Sequence, residues 1–199
     1  MTPAELDGVL AFLRQAERLK TTSRSAHTSA GQVESVAEHS WRVGLMALVL
    51  RPAFPDVDLG RLLAICLVHD LGEAIGGDIP APEQARRLAT EPGGKGAQER
   101  RDLETLVATL PLDVRNTVLS LWDEYENATS PEARLAKALD KLETILQHTQ
   151  GDNPTGFDYR FNLGYGRQYT AGNPILEALR STLDQETERR AREAEGRAD

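Results

Sequence analysis

A chain of 199 residues with one cysteine and a formal net charge of −8 suits a single domain whose core needs no disulfides. The acidic excess argues against binding long nucleic acids, whose phosphates are contacted mainly by clustered lysines and arginines. The longest fully apolar run, residues 62–68, is far short of the roughly 20 residues that span a bilayer. Because the single Cys66 also favours a reducing compartment, we expect a cytoplasmic protein with neither a membrane nor a long nucleic acid as partner.

Apolar residues recur with helical spacing along most of the chain, and no segment shows the clean alternation of a half-buried strand. The sequence therefore predicts an all-α fold of six or seven helices. The predicted helices cover about residues 3–20, 36–50, 56–77, 97–110, 112–126, 131–150 and 174–194. We expect one domain over residues 1–199, with its core at about 10–180 and a charged tail at 185–199 that ends as a solvated, fraying helix.

Two of these helices begin with clear capping signals. Ser35 and Glu38 form a capping-box pattern at the start of the second predicted helix, in which each side chain satisfies the backbone N–H of the other. Ser130 followed by Pro131 is typical of a helix start, because serine caps the first turn and proline is favoured at the first helical position.

Three segments between the helices are predicted to be irregular. Residues 21–34 form a polar stretch without periodicity, and residues 89–98 form a flexible connector whose Gly-Gly-Lys-Gly lacks the spacing of a phosphate-binding P-loop. Residues 151–172 form a loop that is rich in aromatic side chains and either packs against the helices, covers a pocket or joins a subunit interface. Its aromatic residues are Phe157, Tyr159, Phe161, Tyr165 and Tyr169.

The stretch CLVHDLGEAIGGDIPA, residues 66–81, combines an apolar helix with three groups that could bind a metal ion or a proton. On a continuous helix, His69 and Glu73 share one face and Asp70 points to one side of it. The preceding helix is apolar nearly all round, as buried helices are. Charged groups that continue such a helix need a partner or a metal ion, because an unpaired buried carboxylate is very costly.

Residues elsewhere in the chain could join this group through the tertiary fold. His39 lies in the first turns of the second predicted helix and could meet His69. The apolar stripe of its helix leaves Asp140 on the far side, so periodicity alone suggests exposure, although neighbouring alanines would also allow another helix to approach. His27 and His148 carry no recognisable motif.

Four ordered motifs resemble the signature of the HD-domain metal-dependent phosphohydrolases. They are RLKTTSR, VAEHSWR, LVHDLGEAIGGDIP and LWDEYENATSPEARLAKALDKLE. Within that superfamily the chain is most similar to the HD-domain 5′-deoxynucleotidases over about residues 10–150, with weaker similarity to residue 180. The resemblance implies a compact helical HD-domain fold and a homodimer. It also implies one divalent ion, with Co²⁺ or Mn²⁺ expected in preference to Fe²⁺, Zn²⁺, Ni²⁺ or Mg²⁺. The metal ligands that it implies are His39, His69, Asp70 and Asp140.

The resemblance also implies roles for residues around the metal ion. Glu73 matches the acid that serves the metal-bound water, and Asp78 matches a residue that faces the nucleotide sugar and assists catalysis. Arg24 matches the arginine that binds the 5′-phosphate. One departure concerns two positions, the first and the third after this arginine. At one of them, family members can carry a tryptophan beside the sugar. This chain has Ser25 and His27 there, so sugar selectivity stays open and His27 could instead stack on the ligand.

The expected activity is therefore the hydrolysis of (deoxy)nucleoside 5′-monophosphates to nucleoside and phosphate. A triphosphohydrolase of the same fold is an alternative, with Arg24, Lys20 and Arg42 as the cations that would hold the additional phosphates. A second alternative is a non-catalytic sensor of metal ions or nucleotides. The presence of Glu73 and of all four ligand positions argues against the sensor.

Overall fold

The computed structural model describes residues 1–90 and 94–196. Its described part is predominantly helical, which confirms the all-α prediction, and a short antiparallel hairpin pairs β1 (Ser23–His27) with β2 (Val33–Ser35). The helices, in chain order, are α1 (Pro3–Ala16), α2 (Val36–Leu50), α3 (Leu59–Val68), α4 (Glu73–Gly76), α5 (Ala81–Thr90), α6 (Gly94–Leu106), α7 (Leu112–Asn127), α8 (Pro131–Gln150), α9 (Arg167–Thr170) and α10 (Pro174–Glu195).

Helix α8 lies at the centre of the fold and packs against α2, α3, α7 and α10. Its apolar residues Leu135, Leu139 and Leu142 belong to the main core cluster. Its polar residues are buried as well, and Asp140 is only 5% exposed. The exposure that periodicity alone suggested for Asp140 is wrong, because neighbouring helices cover α8 on several sides.

Both predicted helix starts are confirmed. The Ser35 side chain accepts a hydrogen bond from the backbone N–H of Glu38, and the Glu38 carboxylate accepts one from the backbone N–H of Ser35. Ser130 caps α8, and Pro131 is its first residue. The first predicted helix is shorter than expected, since α1 gives way to a 3₁₀ turn over Glu17–Lys20.

The prediction that residues 21–34 form an irregular loop is wrong. Ser23 pairs with Ser35 and His27 with Val33, with an irregularity in the register between the two pairs. The strands are joined by a tight turn in which Gly31 has φ of +78°, a left-handed conformation that glycine adopts without strain. The strands are too short and too polar to show the alternation on which strand prediction relies.

The prediction of one continuous helix through residues 56–77 is also wrong. Helix α3 ends at Val68, and the chain then turns through i→i+3 hydrogen bonds, such as that from the Glu73 N–H to the Asp70 carbonyl, before α4 begins. A Cβ atom on Gly72 would lie 2.9 Å from the backbone oxygen of Glu99 in α6. Glycine therefore allows this turn to pack directly against α6.

Part of the predicted connector at residues 89–98 is helical. Helix α5 continues to Thr90, and α6 begins at Gly94, before its predicted start at residue 97, while residues 91–93 lie outside the described part. Helix α6 packs against α4, and Arg100 pairs with Asp123 of α7 at 2.7 Å. These tertiary contacts compensate for glycines that are poor helix formers.

The C-terminal tail is packed rather than fraying over its described residues. Thr187 and Ala191 are buried within α10, and Arg190 donates a hydrogen bond of 2.6 Å to the backbone carbonyl of Gly151. One face of the tail is therefore packed, while most of its other residues up to 196 are exposed, as predicted, and residues 197–199 lie outside the described part. Among the helices of residues 1–90 and 94–196, none is long and apolar enough to cross a lipid bilayer.

We expect Leu139→Ala to lower the free energy of unfolding by about 2–5 kcal/mol, because it opens a cavity beside fully buried core side chains. Chemical denaturation followed by circular dichroism measures this change. Leu112→Ala serves as the control, because Leu112 is 71% exposed and its truncation leaves no cavity. Similar losses for both variants would contradict the central position of α8.

Candidate metal centre

Three potential metal ligands, His39, His69 and Asp70, have donor atoms within 4.8 Å of one another, and Asp140 approaches this group beside His39. The Nε2 atom of His39, in α2, lies 3.4 Å from His69 Nε2, 3.6 Å from Asp70 Oδ2 and 3.3 Å from Asp140 Oδ1. His69 Nε2 lies 3.1 Å from Asp70 Oδ2. Two ligands held about 2.1 Å from one ion are roughly 3.0–3.4 Å apart at square or tetrahedral angles. The spacing of the His39, His69 and Asp70 atoms therefore fits a single divalent cation, and Asp140 lies next to it through its contact with His39.

Both histidines are oriented through the ring nitrogen that faces away from this cluster. His39 Nδ1 is hydrogen-bonded to the Glu143 carboxylate, and His69 Nδ1 lies 2.8 Å from the backbone carbonyl of Cys66. When each Nδ1 donates its proton, Nε2 carries the lone pair that a metal ion requires. The surroundings thus select the tautomer that can bind a cation.

Asp140 is held in a similar way. Its Oδ2 atom accepts a hydrogen bond of 2.5 Å from the Tyr125 hydroxyl and pairs with Lys141 Nζ at 2.8 Å. Burial, followed by the charge of Asp140, raises the pKa of Tyr125 well above its usual range, so the hydroxyl stays protonated and continues to donate. These contacts leave Asp140 Oδ1 directed toward His39.

The charge of the cluster favours a bound cation. Burial and the Arg24 charge oppose protonation of His39, yet Glu143 and Asp140 outweigh them and raise the pKa of His39 to about 9. Burial alone would raise the pKa of Asp70, but the neighbouring imidazoles lower it below its usual range. The carboxylates that favour a proton on His39 would also favour a divalent ion at its Nε2, which would take the place of that proton.

A second group of potential ligands, Glu34, His39 and Glu143, lies on the other side of the His39 ring. Here the carboxylates already have cationic partners. Glu34 pairs with Arg24 at 3.1 Å, and Glu143 accepts a hydrogen bond of 2.6 Å from Arg42 Nε. We therefore interpret Glu143 as support for His39 and Glu34 as a partner of Arg24, and neither as part of a further metal site.

Glu73 and Asp78 line the same cavity as Asp70 and Asp140. Glu73 is 6% exposed, and its Oε2 atom is buried without a hydrogen-bond partner among the described residues. Burial, followed by the charges of Asp70 and Asp78, raises the pKa of Glu73 well above its usual range. Burial also raises the pKa of Asp78. An orphaned carboxylate oxygen beside the metal ligands suits a group that binds a water molecule or a proton.

The structure brings Arg24 to this cavity but not His27. Arg24 and Ser25 line it, and Arg24 Nη1 lies 3.8 Å from Asp70 Oδ2. His27 is absent from the described residues around the cavity, and its backbone instead bonds to Asn153 and Gln147. The predicted contact between His27 and the ligand therefore has no support from the geometry.

Further residues of the cavity wall, among them Lys141, Lys95 and His148, were not predicted to contribute to the site. Lys141 pairs with Asp140 and lies 5.2 Å above the Tyr165 ring, while Lys95 pairs with Glu99 at 2.9 Å. Burial lowers the pKa of His148 to about 4, which keeps its imidazole neutral. Lys141 follows Asp140 directly in the chain, a position that could have drawn attention to it. The sequence gives no such signal for Lys95 or His148, whereas Tyr165 belongs to the aromatic segment for which covering a pocket was one of the expectations.

The aromatic segment at residues 151–172 fulfils two of its three expected roles, packing against the helices and covering a pocket. Phe157 packs edge-on against His148, with ring centroids 4.8 Å apart, while Tyr165 lines the cavity. The segment thus packs on α8 and also closes one side of the candidate site.

Comparison with known proteins places this fold and site in a family. The HD-domain family matches residues 16–180, a region that includes all four converging ligands, and the chain belongs to this family. A predicted metal-dependent phosphohydrolase from Magnetospirillum magnetotacticum has a similar structure, with a TM-score of 0.79, 28% sequence identity and coverage of 94% of this chain and 97% of that one.

Particular relatives carry a more specific name. The chain is 35% identical to the 5′-deoxynucleotidase HDDC2 of Mus musculus over 189 residues, which cover 92% of this chain and 89% of the mouse protein. It is 34% identical to the 5′-deoxynucleotidase HDDC2 of Danio rerio over 147 residues, which cover 71% of this chain and 68% of the fish protein.

We expect Glu143→Gln to weaken divalent metal binding by about 10- to 100-fold, because the amide no longer supplies the negative charge that orients and polarises His39. Titration against a competing chelator measures the affinity. Glu124→Gln is the matched control, since Glu124 is also buried and also pairs with an arginine, Arg61, but on α7 away from the ligands. Equal affinities for Glu143→Gln and the wild type would contradict this role.

Proposed function

We propose that this protein hydrolyses deoxynucleoside 5′-monophosphates to nucleoside and orthophosphate. The observation that carries the proposal is the grouping of His39, His69 and Asp70, with Asp140 3.3 Å from His39, beside a cavity that also contains a buried acid and an arginine. The relatives named 5′-deoxynucleotidase support the substrate class.

His39, His69, Asp70 and Asp140 would hold one divalent ion, since imidazole and carboxylate ligands suit Mn²⁺, Co²⁺, Fe²⁺ or Zn²⁺. We propose Co²⁺ or Mn²⁺ among these because the family resemblance implies them. When bound, such an ion activates water and polarises a phosphoryl oxygen. The contribution of the chain itself is to hold both imidazoles and both carboxylates in place through Glu143, Tyr125 and the backbone.

Glu73, Asp78 and Arg24 are proposed to act on the substrate directly. Glu73 would accept a proton from the attacking water and return it to the leaving 5′-oxygen, a role that its buried position beside Asp70 supports. Asp78 would face the sugar. Arg24 would bind the phosphate, because a planar guanidinium matches phosphate oxygens in pairs.

The arrangement of cations favours a monophosphate over a triphosphate. Lys141 and Lys95 line the cavity but are paired with Asp140 and Glu99. Arg42, which was a candidate for additional phosphates, is bonded to Glu143. Lys20 is exposed and is not among the described residues that line the cavity. This leaves the terminal N–H groups of Arg24, which Glu34 does not occupy, and three phosphates would need more positive charge than one arginine supplies.

We expect the purified protein to release orthophosphate from deoxynucleoside 5′-monophosphates in the presence of Co²⁺ or Mn²⁺, and to lose this activity with EDTA. Glu73→Ala should lower kcat by about 10²- to 10⁴-fold, the contribution typical of a general acid–base group. Phosphate release from a panel of deoxy- and ribonucleotides measures both effects. Glu104→Ala is the control, since Glu104 is exposed on α6.

Three results would contradict this proposal. Activity that survives both EDTA and Glu73→Ala would exclude the mechanism. Release of triphosphate from nucleoside triphosphates would favour the triphosphohydrolase. Metal binding with every nucleotide left intact would favour the sensor.

We also propose a cytoplasmic homodimer. Helix α2 exposes an apolar stripe, with Trp41 65% and Leu48 51% exposed, that would be covered by a second copy of the chain. The remaining members of the stripe are Leu45 and Val49. Cys66 is free and buried, which is consistent with a reducing cytoplasm.

We expect Leu48→Glu to convert the dimer into a monomer, because it places a charge within the apolar stripe of α2. Light scattering after size exclusion measures the mass. Leu6→Glu on α1, where Leu6 is also about half exposed, is the matched control and should stay dimeric. A monomeric wild type, or dissociation caused by Leu6→Glu alone, would contradict the proposed interface.

A further inference from the structure

Arg24 is held on one edge of its guanidinium by two side chains from different parts of the fold. Its Nε atom donates to Glu34 Oε2 at 3.1 Å, across the β1–β2 hairpin. Its Nη2 atom donates to Thr144 Oγ1 of α8 at 3.0 Å. Glu34 is 2% exposed and Thr144 is 4% exposed, so both contacts are formed away from water.

A count of donors shows what these contacts leave available. A guanidinium has five N–H donors, and Glu34 and Thr144 use one on Nε and one on Nη2. The Nη1 and remaining Nη2 donors form a fork at the end of the side chain. Nη1 lies 3.8 Å from Asp70 Oδ2, so this fork faces the candidate metal ligands.

The Thr144 hydroxyl is fixed by a second hydrogen bond in addition to the one it accepts from Arg24. It donates its own hydrogen to the backbone carbonyl of Asp140 at 3.0 Å. With that hydrogen in use, the oxygen presents a lone pair to Arg24. A single hydroxyl therefore links the guanidinium to the helical turn that carries a candidate metal ligand.

We propose that Glu34 and Thr144 are positioning residues that fix Arg24 so that its terminal fork receives two oxygens of the substrate phosphate beside the metal ligands. This inference rests on the proposed function, in which Arg24 binds the phosphate. It explains why Arg24 already points toward the phosphate-binding position in the protein without substrate.

The physical advantage is preorganisation. A free arginine side chain loses considerable rotamer freedom when it binds a ligand. Glu34 and Thr144 restrict Arg24 in the unliganded protein, so the phosphate binds a fork that already has its bound orientation. The Glu34 carboxyl group also keeps the buried guanidinium hydrogen-bonded when no substrate is present.

The test compares Glu34→Gln, Thr144→Val and Thr144→Ser with the wild type. We expect Glu34→Gln and Thr144→Val to raise KM for a deoxynucleoside 5′-monophosphate roughly tenfold, which corresponds to the loss of one charge-assisted hydrogen bond. The value of kcat should change less than about threefold, and Thr144→Ser, which keeps the hydroxyl, should restore the wild-type KM. Calorimetry with inorganic phosphate should show the same ranking of affinities without turnover.

Two matched controls separate positioning from general damage. Thr149→Val removes another buried hydroxyl of α8, one that donates to the Leu146 carbonyl, and Glu132→Gln neutralises a buried carboxylate that accepts from the Asp58 N–H. Both should retain wild-type KM and phosphate affinity. In an Arg24→Ala background, Glu34→Gln and Thr144→Val should have no additional effect, because they act through the arginine.

The outcomes distinguish this inference from the proposed function. If the wild type releases phosphate while Thr144→Val and Glu34→Gln keep wild-type KM and phosphate affinity, the positioning role is wrong and the function stands. If no nucleotide is hydrolysed but both variants still weaken inorganic phosphate binding, the function is wrong and the positioning role stands. Loss of bound metal in Thr144→Val, or additive effects with Arg24→Ala, would assign these residues to general support and overturn the inference.

Discussion

Two carboxylates buried in the central helix, Asp140 and Glu143, set the constraint around which the rest of the site is built. An uncompensated charge at such depth would cost several kcal/mol, so neighbouring elements must supply donors and cations. Tyr125 and Lys141 serve Asp140, while His39 and Arg42 serve Glu143. Each compensating contact also orients a group, and so charge balance in the core and construction of the candidate metal centre depend on the same interactions.

Successive turns of α8 connect different parts of the candidate site. Asp140 faces the metal ligands, Glu143 orients one of them through the opposite ring nitrogen, and Thr144 binds Arg24 from the hairpin. Because residues three and four apart lie on neighbouring positions of a helix surface, one rigid element sets the distances between these groups. A site carried by helices in this way is held more precisely than one carried by loops.

The sequence predicted much of this arrangement, for reasons that can be stated residue by residue. Helical periodicity gave the main helices, and the signals at Ser35 and Ser130 marked two helix starts correctly. The errors occur where tertiary contacts override local preference. The hairpin of residues 23–35 is too polar for its alternation to be visible, and the break after Val68 depends on the close approach of Gly72 to α6. The packing of the tail at Thr187 likewise depends on distant neighbours.

By itself, the sequence determined the helical class, the proximity of His69 and Asp70 as chain neighbours and, through its motifs, the family to which the chain belongs. It could not determine that Asp140 is buried, because its helix carries its main apolar stripe on another side. Nor could it place Glu34 and Thr144 around Arg24, since these residues are separated by up to 120 positions in the chain. Such contacts depend on how helices and the hairpin pack together, and only the tertiary structure specifies that packing.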